Sequence, residues 1–348
     1  MKAAVNNRYG GPEVVSIQNI PKPAPKDDEV LIRTYATTVN SADWRIRSLT
    51  VPTGFKFLVR LAFGFNVPRK QVLGTELSGV IEAVGSKVSK FKPGDAVFAD
   101  CGTSFGAHAE YKAMPEDGAI ALKPVNLTFE QAAALSFGST TALSFFTKAG
   151  GIRPGDTVLV NGASGTTGLA FVQLARHFGA TVTGVSSAGN HTLVRQTGAR
   201  HVIDYQTEDF TKNGQSYDFI IDTAGTAPWK RAKSSLTKTG ALLAVLGPIS
   251  DMLRAAFVSR KNGQRLIVGA TSATGSDLRM IARLALSGAF TPVLDCVLPF
   301  GDIRAAHERV DSGRKTGSVV VRFEQSRPEA HDPGPFHTIE LANVVQRR

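Results

Sequence analysis

Short apolar runs broken by glycine and proline fill the first third of the chain. Val14–Ile20, Glu29–Tyr35, Leu77–Val84, Ala96–Ala99 and Glu110–Ala113 are rich in strand-forming residues and bounded by turn residues. They predict a mostly β unit from Lys2 to about Pro124. Pro93-Gly94-Asp95 reads as a turn entering a strand, because proline fixes φ and glycine relieves steric limits. From about Asn126 the rhythm changes. Strands at Thr157–Asn161, Thr181–Ser186, His201–Asp204, Phe219–Asp222, Ala241–Leu246 and Arg265–Gly269 alternate with helix-length segments, two of which end near Phe178 and Gly198. That alternation predicts a parallel sheet with helices on its faces, and the unbroken Thr157-Val158-Leu159-Val160 fits a strand buried on both sides. Asp277–Ser287 has helical spacing. Thr291–Phe323 returns to strand, helix and strand, and is expected to rejoin the β unit. The tail, rich in proline and charge and containing Asp332-Pro333-Gly334-Pro335, is expected to be flexible, with Thr338–Val345 as an alternative short docking segment. The expected division is 1–125 with 288–323, 126–287, and a tail over 324–348.

Composition narrows the class. With 42% hydrophobic and 20% charged residues the 348-residue chain is a folded protein of two or three compact units. Its two cysteines, Cys101 and Cys296, can build neither a disulfide framework nor a four-thiolate zinc site. A net charge of +11 suits an anionic cofactor, nucleic acid or an acidic membrane surface, and does not choose among them. No apolar run approaches the ~18 residues of a membrane span, and no long apolar stretch follows a basic start. A cytoplasmic protein with no membrane partner, neither secreted nor membrane-spanning, is expected.

The most informative stretch runs from Val158 to Ala175, where a buried strand enters Gly162, Gly165 and Gly168 at three-residue spacing and then an apolar-periodic helix. Glycine there permits a tight turn and close backbone approach, and the free N–H groups at the helix start attract a pyrophosphate. Gly162, Ser164, Gly165, Thr166, Thr167 and Gly168 are therefore candidate dinucleotide ligands; the alternative is a glycine-rich turn that holds nothing. The next strand should end beside the adenosine ribose, where an NAD site places an acid. Here the tip reads Ser186-Ser187-Ala188-Gly189-Asn190, with no acid until Asp204. Missing repulsion favours a 2′-phosphate, with Ser186, Ser187 and Asn190 as donors and Tyr205 contributing from the following strand, so NADPH is the expected cofactor. The tip also lacks Arg or Lys, which leaves open an unselective loop, and leaves Tyr205 open as a packing residue. Gly225 and Gly247 fall at strand ends where a dinucleotide lies, or are ordinary turn glycines.

These motifs, with Val39-Asn40-Ser41-Ala42-Asp43-Trp44-Arg45, Leu73-Gly74-Thr75-Glu76, Gly79–Gly85, Phe91–Phe98 and Val202-Ile203-Asp204-Tyr205, resemble the medium-chain dehydrogenase/reductase superfamily, in its zinc-independent quinone oxidoreductase branch, from Met1 to about Phe323. The resemblance implies an α/β fold: a Rossmann-type doubly wound parallel sheet domain plus a mostly β GroES-like catalytic domain. Zinc-dependent members place a Cys where this chain has Asn40, a His where it has Thr75 and a further Cys near Phe137, so no thiolate or imidazole is offered and no zinc is expected. The histidines at 108, 177, 191, 201, 307, 331 and 337 show no paired ligand spacing, and Cys101 reads as a small residue rather than a reactive thiol.

The resemblance further implies hydride transfer from NADPH to a small hydrophobic quinone or α,β-unsaturated carbonyl substrate. Asn40 and Thr75, at the vacated metal position, are the candidate catalytic donors to the developing negative charge, against a structural role for Asn40 in its loop. Thr141 falls beside the nicotinamide, while Asp43 and Glu76 read as structural ion pairs, with Arg45 as partner. Phe55–Phe65 is either an apolar lid or a helix buried against its own domain, and it contains no Tyr to donate a proton, which leaves that step to water. A homodimer through the edge strand near Arg265–Gly269 is expected from the family alone. The alternatives are a metal-free NADP-dependent aldehyde or ketone reductase or alcohol dehydrogenase, and a nucleotide-binding RNA-associated or regulatory protein. The last is disfavoured because no RNA-binding motif or dense cationic tract is present.

Overall fold

The computed structural model describes residues 1–51, 54–247, 249–258, 263–269 and 271–324. The expected flexible tail and the alternative segment Thr338–Val345 lie outside the described residues. Six parallel strands form one sheet, in the order His201–Asp204, Thr181–Ser186, Thr157–Asn161, Tyr217–Asp222, Leu236–Ala244 and Arg265–Val268. The chain starts in the middle and winds outward both ways, so a crevice opens beyond the C-terminal end of Thr157–Asn161, where Asn161 is paired with Val185 on one side and Asp222 on the other. Val158, Leu159 and Val160 are fully buried, as an apolar strand covered on both faces must be.

The second sheet is mainly antiparallel and runs Leu294–Pro299, Ser318–Arg322, Glu29–Val39, Glu76–Val84, Ala96–Asp100, Ile120–Leu122, with Tyr111–Pro115 also on Glu29–Val39. The last segment does rejoin this unit: Val319 pairs with Val39 and Arg322 with Ala36. Lys2–Asn6 and Val15–Asn19 make a separate two-stranded ribbon.

Two differences from the sequence reading share one cause. Glu29–Val39 extends four residues beyond Tyr35, and the helix Ser136–Lys148 has a buried face made largely of Ser136, Gly138, Ser139, Thr140 and Thr141. In both places hydroxyls are satisfied internally. Thr37 Oγ1 donates to the Glu76 carbonyl at 2.7 Å, and Thr140 and Thr141 donate to the carbonyls four residues back at 2.8 and 2.7 Å. Such residues look polar in a pattern and behave as core. The helix then packs on Thr166–His177 through Phe145, Phe146 and Phe171, whose rings meet edge to face. No helix among the described residues is long and apolar enough to cross a membrane.

Candidate active site

The glycine turn has the predicted shape, and its three glycines serve three different needs. Gly162 sits at φ +83°, and a Cβ there would lie 2.6 Å from Thr223 Oγ1. Gly168 lets the helix settle on the turn, since its Cβ would fall 2.1 Å from the Gly162 carbonyl. Gly165 is different: its backbone is extended, and the nearest atom to an added Cβ is 3.7 Å away. Nothing in the protein requires glycine at 165. It is the N-cap of Thr166–His177 with no side chain on the free amides, and a Cβ would fill the cradle where an anion would rest.

A cleft of about 960 Å³ leads away from this turn, lined by Gly162, Ser164, Ser186, Ser187, Asn190 and Tyr205 among others. The structure therefore brings these expected residues together. Asn190 Nδ2 donates to both Ser164 Oγ and Ser187 Oγ at 3.2 Å, tying the strand tip to the turn. Tyr205 is 61% exposed, so packing is not its role. Asp204, the first acid, bonds the Gln206 amide and is not on the cleft wall.

Pattern reading missed the segment Gly313–Gly317, which crosses from the other unit and lies on the turn. The Gly317 amide donates to the Ser164 carbonyl at 3.1 Å. Lys315 Nζ donates to Thr166 Oγ1 at 2.7 Å and to the Gly317 carbonyl at 2.8 Å. Burial lowers this amine from its usual value to about 8. Arg314 and Lys315 both line the cleft, as do Arg231 and the acids Glu208 and Asp209, the last paired with Arg231 at 2.9 Å. The segment is held by a two-pronged Arg309–Asp295 pair at 2.7 and 2.8 Å, whose carboxylate also accepts from the Thr316 amide. Asp222 is a second missed residue. Its buried carboxylate accepts from Asn161 Nδ2 and from the amides of Ala224, Gly225 and Ala227, which shapes the loop beside the turn.

Among the remaining expected cofactor residues, Thr141 and Thr167 line a smaller cleft of about 190 Å³, together with Ser41, Ala42, Arg45 and Thr223. Thr141 spends its hydroxyl proton on its own helix. Thr166 lies under the Gly313–Gly317 segment, donating to the Gly317 carbonyl. Gly225, at φ +74°, shapes the loop that Asp222 organises. Gly247 has a packing reason instead of a ligand-facing one: a Cβ would sit 2.9 Å from Val268 Cγ1.

Asn40 and Thr75 do meet. Asn40 Nδ2 donates to Thr75 Oγ1 at 2.7 Å, and both residues are buried. The Asn40 carbonyl oxygen Oδ1 caps the helix Ser41–Ser48 by accepting from Ala42 and Asp43. Neither side chain is on the wall of the smaller cleft. Asp43 clamps the two loops: its carboxylate accepts from the Asn40 amide at 3.0 Å and the Gly74 amide at 2.8 Å. Burial raises its pKa, opposed first by His108. The expected pairing of Asp43 with Arg45 is corrected here: Asp43 Oδ2 lies 3.8 Å from His108 Nε2, while Arg45 donates to the Thr50 carbonyl.

Glu76 accepts from Thr38, Ser136 and the Phe137 amide, and burial pushes it up to about 7. Arg45 instead lies on the cleft wall. It donates to the Thr50 carbonyl at 3.2 Å and lies over the Trp44 ring, and its buried Nε has no partner among the described residues. Cys101 is buried, and burial pushes its thiol up to about 12, which fits the small-residue reading.

The zinc position offers an amide, a hydroxyl and an aromatic ring, a donor set that does not fit zinc. No group of three or more His, Cys, Asp or Glu among the described residues is arranged to hold a metal ion.

Two family profiles match: alcohol dehydrogenase GroES-like domain over residues 26–124 and zinc-binding dehydrogenase over residues 197–321. The chain is 32% identical over 333 residues to 2-methylene-furan-3-one reductase of Solanum lycopersicum, covering 92% of this chain and 79% of the relative. The chain belongs to the medium-chain dehydrogenase/reductase superfamily, in its quinone oxidoreductase-like branch. Within that superfamily it is also 31% identical to the chloroplastic NADPH-dependent alkenal/one oxidoreductase of Arabidopsis thaliana, covering 92% of this chain and 79% of the relative. The solved quinone oxidoreductase from Coxiella burnetii superposes with a TM-score of 0.83 at 27% identity, covering 93% of this chain and 99% of that one. The fold is the expected α/β pairing of a GroES-like domain with a parallel-sheet, Rossmann-like domain.

Proposed function

We propose that this protein is a zinc-free, NADPH-dependent oxidoreductase of the cytoplasm that reduces a quinone or an α,β-unsaturated carbonyl compound. Residues 1–125 and 288–323 form its catalytic unit and 126–287 its nucleotide unit. The observation that carries the reading is the open N-cap at Gly165, next to a cleft walled by Gly162 and Ser164, by Arg314 and Lys315, and by Glu208 and the Arg231–Asp209 pair, beside a metal position without metal ligands. The names of its relatives support the substrate class.

NADPH, when bound, supplies the hydride. The chain's part is to seat and orient. The amides after Gly165 hold the pyrophosphate, and Ser187, Asn190, Arg314 and Lys315 favour the 2′-phosphate. Thr141, Thr167 and Thr223 shape the small cleft in which the acceptor carbon waits. Arg45, on the wall of that cleft, supplies positive charge beside the acceptor oxygen, where two electrons leave negative charge, and water delivers the proton that completes the reduction.

The test is a titration with NADPH and NADH side by side, followed by an enone, a quinone and a simple aldehyde after chelation of divalent metals. NADPH preference with enone or quinone turnover that survives chelation is the expected result. Turnover of the aldehyde alone would favour the carbonyl reductase reading, and salt-sensitive RNA binding without NADPH oxidation would favour the regulatory one.

Lys315 adds a pH signature. A bound phosphate favours the protonated amine, so NADPH affinity should be full below neutrality and fall as pH rises through about 8. Lys315→Met should bind more weakly and lose that dependence; a wild-type affinity flat from pH 7 to 9 would remove Lys315 from the site. The proposed homodimer uses Arg265–Val268, which among the described residues pairs on one side only, with Leu236–Ala244. Sedimentation at the 37.0 kDa monomer mass would reject it.

A further inference from the structure

The helix Lys56–Phe63 is turned the wrong way for a soluble protein. Phe57 is 64% exposed and Leu61 55%, with Leu58, Phe65 and Val67 also exposed, so positions 57, 58, 61 and 65 make one outward apolar stripe. A surface helix normally points its polar face outward. Here Arg60 is turned inward instead, and its buried Nε has no partner among the described residues. The orientation is fixed by several contacts. Phe63 packs edge to face on buried Phe105, Tyr9 Oη donates to the Gly64 carbonyl at 2.7 Å, and the Arg69 amide donates to the Phe63 carbonyl at 2.7 Å. The helix is therefore not buried against its own domain.

Charge says what covers the stripe. Between Asp43 and Glu76 the chain has no acid, yet it carries Arg45, Arg47, Lys56, Arg60, Arg69 and Lys70; of these Arg47 is fully buried on Asp311 and takes no part in the surface. Lys56, Arg69 and Lys70 are exposed at the ends of the stripe, and Arg60 and Arg69 both act on Tyr9 electrostatically. An apolar stripe bounded by cations, on a chain of net charge +11, complements an anionic bilayer surface: the aromatic and aliphatic groups enter the acyl boundary while the cations meet lipid phosphates. We propose that residues 56–70 form a peripheral docking surface for anionic membranes. The protein rests on the bilayer without crossing it.

Vesicle co-sedimentation with the full chain, without NADPH or acceptor, tests this separately from the oxidoreductase reading. Binding is expected to vesicles of phosphatidylcholine with phosphatidylglycerol and not to phosphatidylcholine alone, and should weaken when salt is raised from about 0.1 M to about 0.5 M. Phe57→Ser with Leu61→Ser, or Arg69→Glu with Lys70→Glu, should each lower affinity for the anionic vesicles at least about tenfold while the thermal midpoint holds. Failure to bind anionic vesicles overturns the proposal, as does equal binding to neutral ones or binding that both double variants retain. Lipid-free self-association abolished by Phe57→Ser with Leu61→Ser would assign the stripe to a second copy of the chain instead.

Discussion

Gly165→Asp is expected to weaken NADPH binding at least about a hundredfold, about 2.7 kcal/mol, while the thermal midpoint stays level or rises. The two effects have opposite signs for one reason. Gly165 occupies the N-cap of Thr166–His177 in an extended conformation open to any residue. An aspartate there accepts from the free amides of the first turn, favours the positive end of the helix, and replaces a glycine that offered no side-chain cap. Lys315 Nζ, bonded to Thr166 Oγ1, adds a nearby cation. The same carboxylate takes the N–H groups that a pyrophosphate needs and repels it. Gly168→Ala provides the contrast. Its Cβ would meet the Gly162 carbonyl at 2.1 Å, so both stability and binding should fall. Fluorescence titration of NADPH and a melting curve read the pair, and undiminished NADPH affinity in Gly165→Asp would place the cofactor elsewhere.

The second large effect is on turnover. Arg45→Met should lower kcat about a hundredfold or more, the usual scale for loss of a donor to developing negative charge, with NADPH affinity within about twofold of wild type. Arg45 lines the small cleft and is only partly buried, so methionine keeps the packing on Trp44 and removes the charge. Arg45→Lys should recover part of the loss, since an ammonium restores charge without the planar fork. A single-turnover rate in Arg45→Met equal to wild type would show that Arg45 does not touch the reacting oxygen. Loss of NADPH affinity in that variant would move the residue to the cofactor site.

The strand, the glycine turn and the following helix were legible because each is a local pattern: an apolar run, three glycines, an apolar period. The Arg265 edge and the return of Ser318–Arg322 to the first sheet were legible as elements, although their neighbours came from topology. Asn40 and Thr75 were singled out by motif position and do contact one another, yet the motif does not say which way a side chain faces. Asn40 turns out to cap a helix, and the residue that reaches the cleft lies five positions later, at Arg45. The helix Ser136–Lys148 was hidden by its hydroxyls, which are satisfied inside the protein.

By itself, then, the chain determined the two kinds of sheet, the glycine turn that enters the helix, and which residues stand at Asn40 and Thr75, because periodicity and backbone freedom are properties of neighbouring residues. Only the tertiary structure decided that Lys315 reaches Thr166 from 149 positions away, that Asp43 joins the loops of Asn40 and Gly74, and that Phe57 and Leu61 point outward. Those placements depend on how separate elements pack against one another, and the same local pattern is compatible with either face being buried.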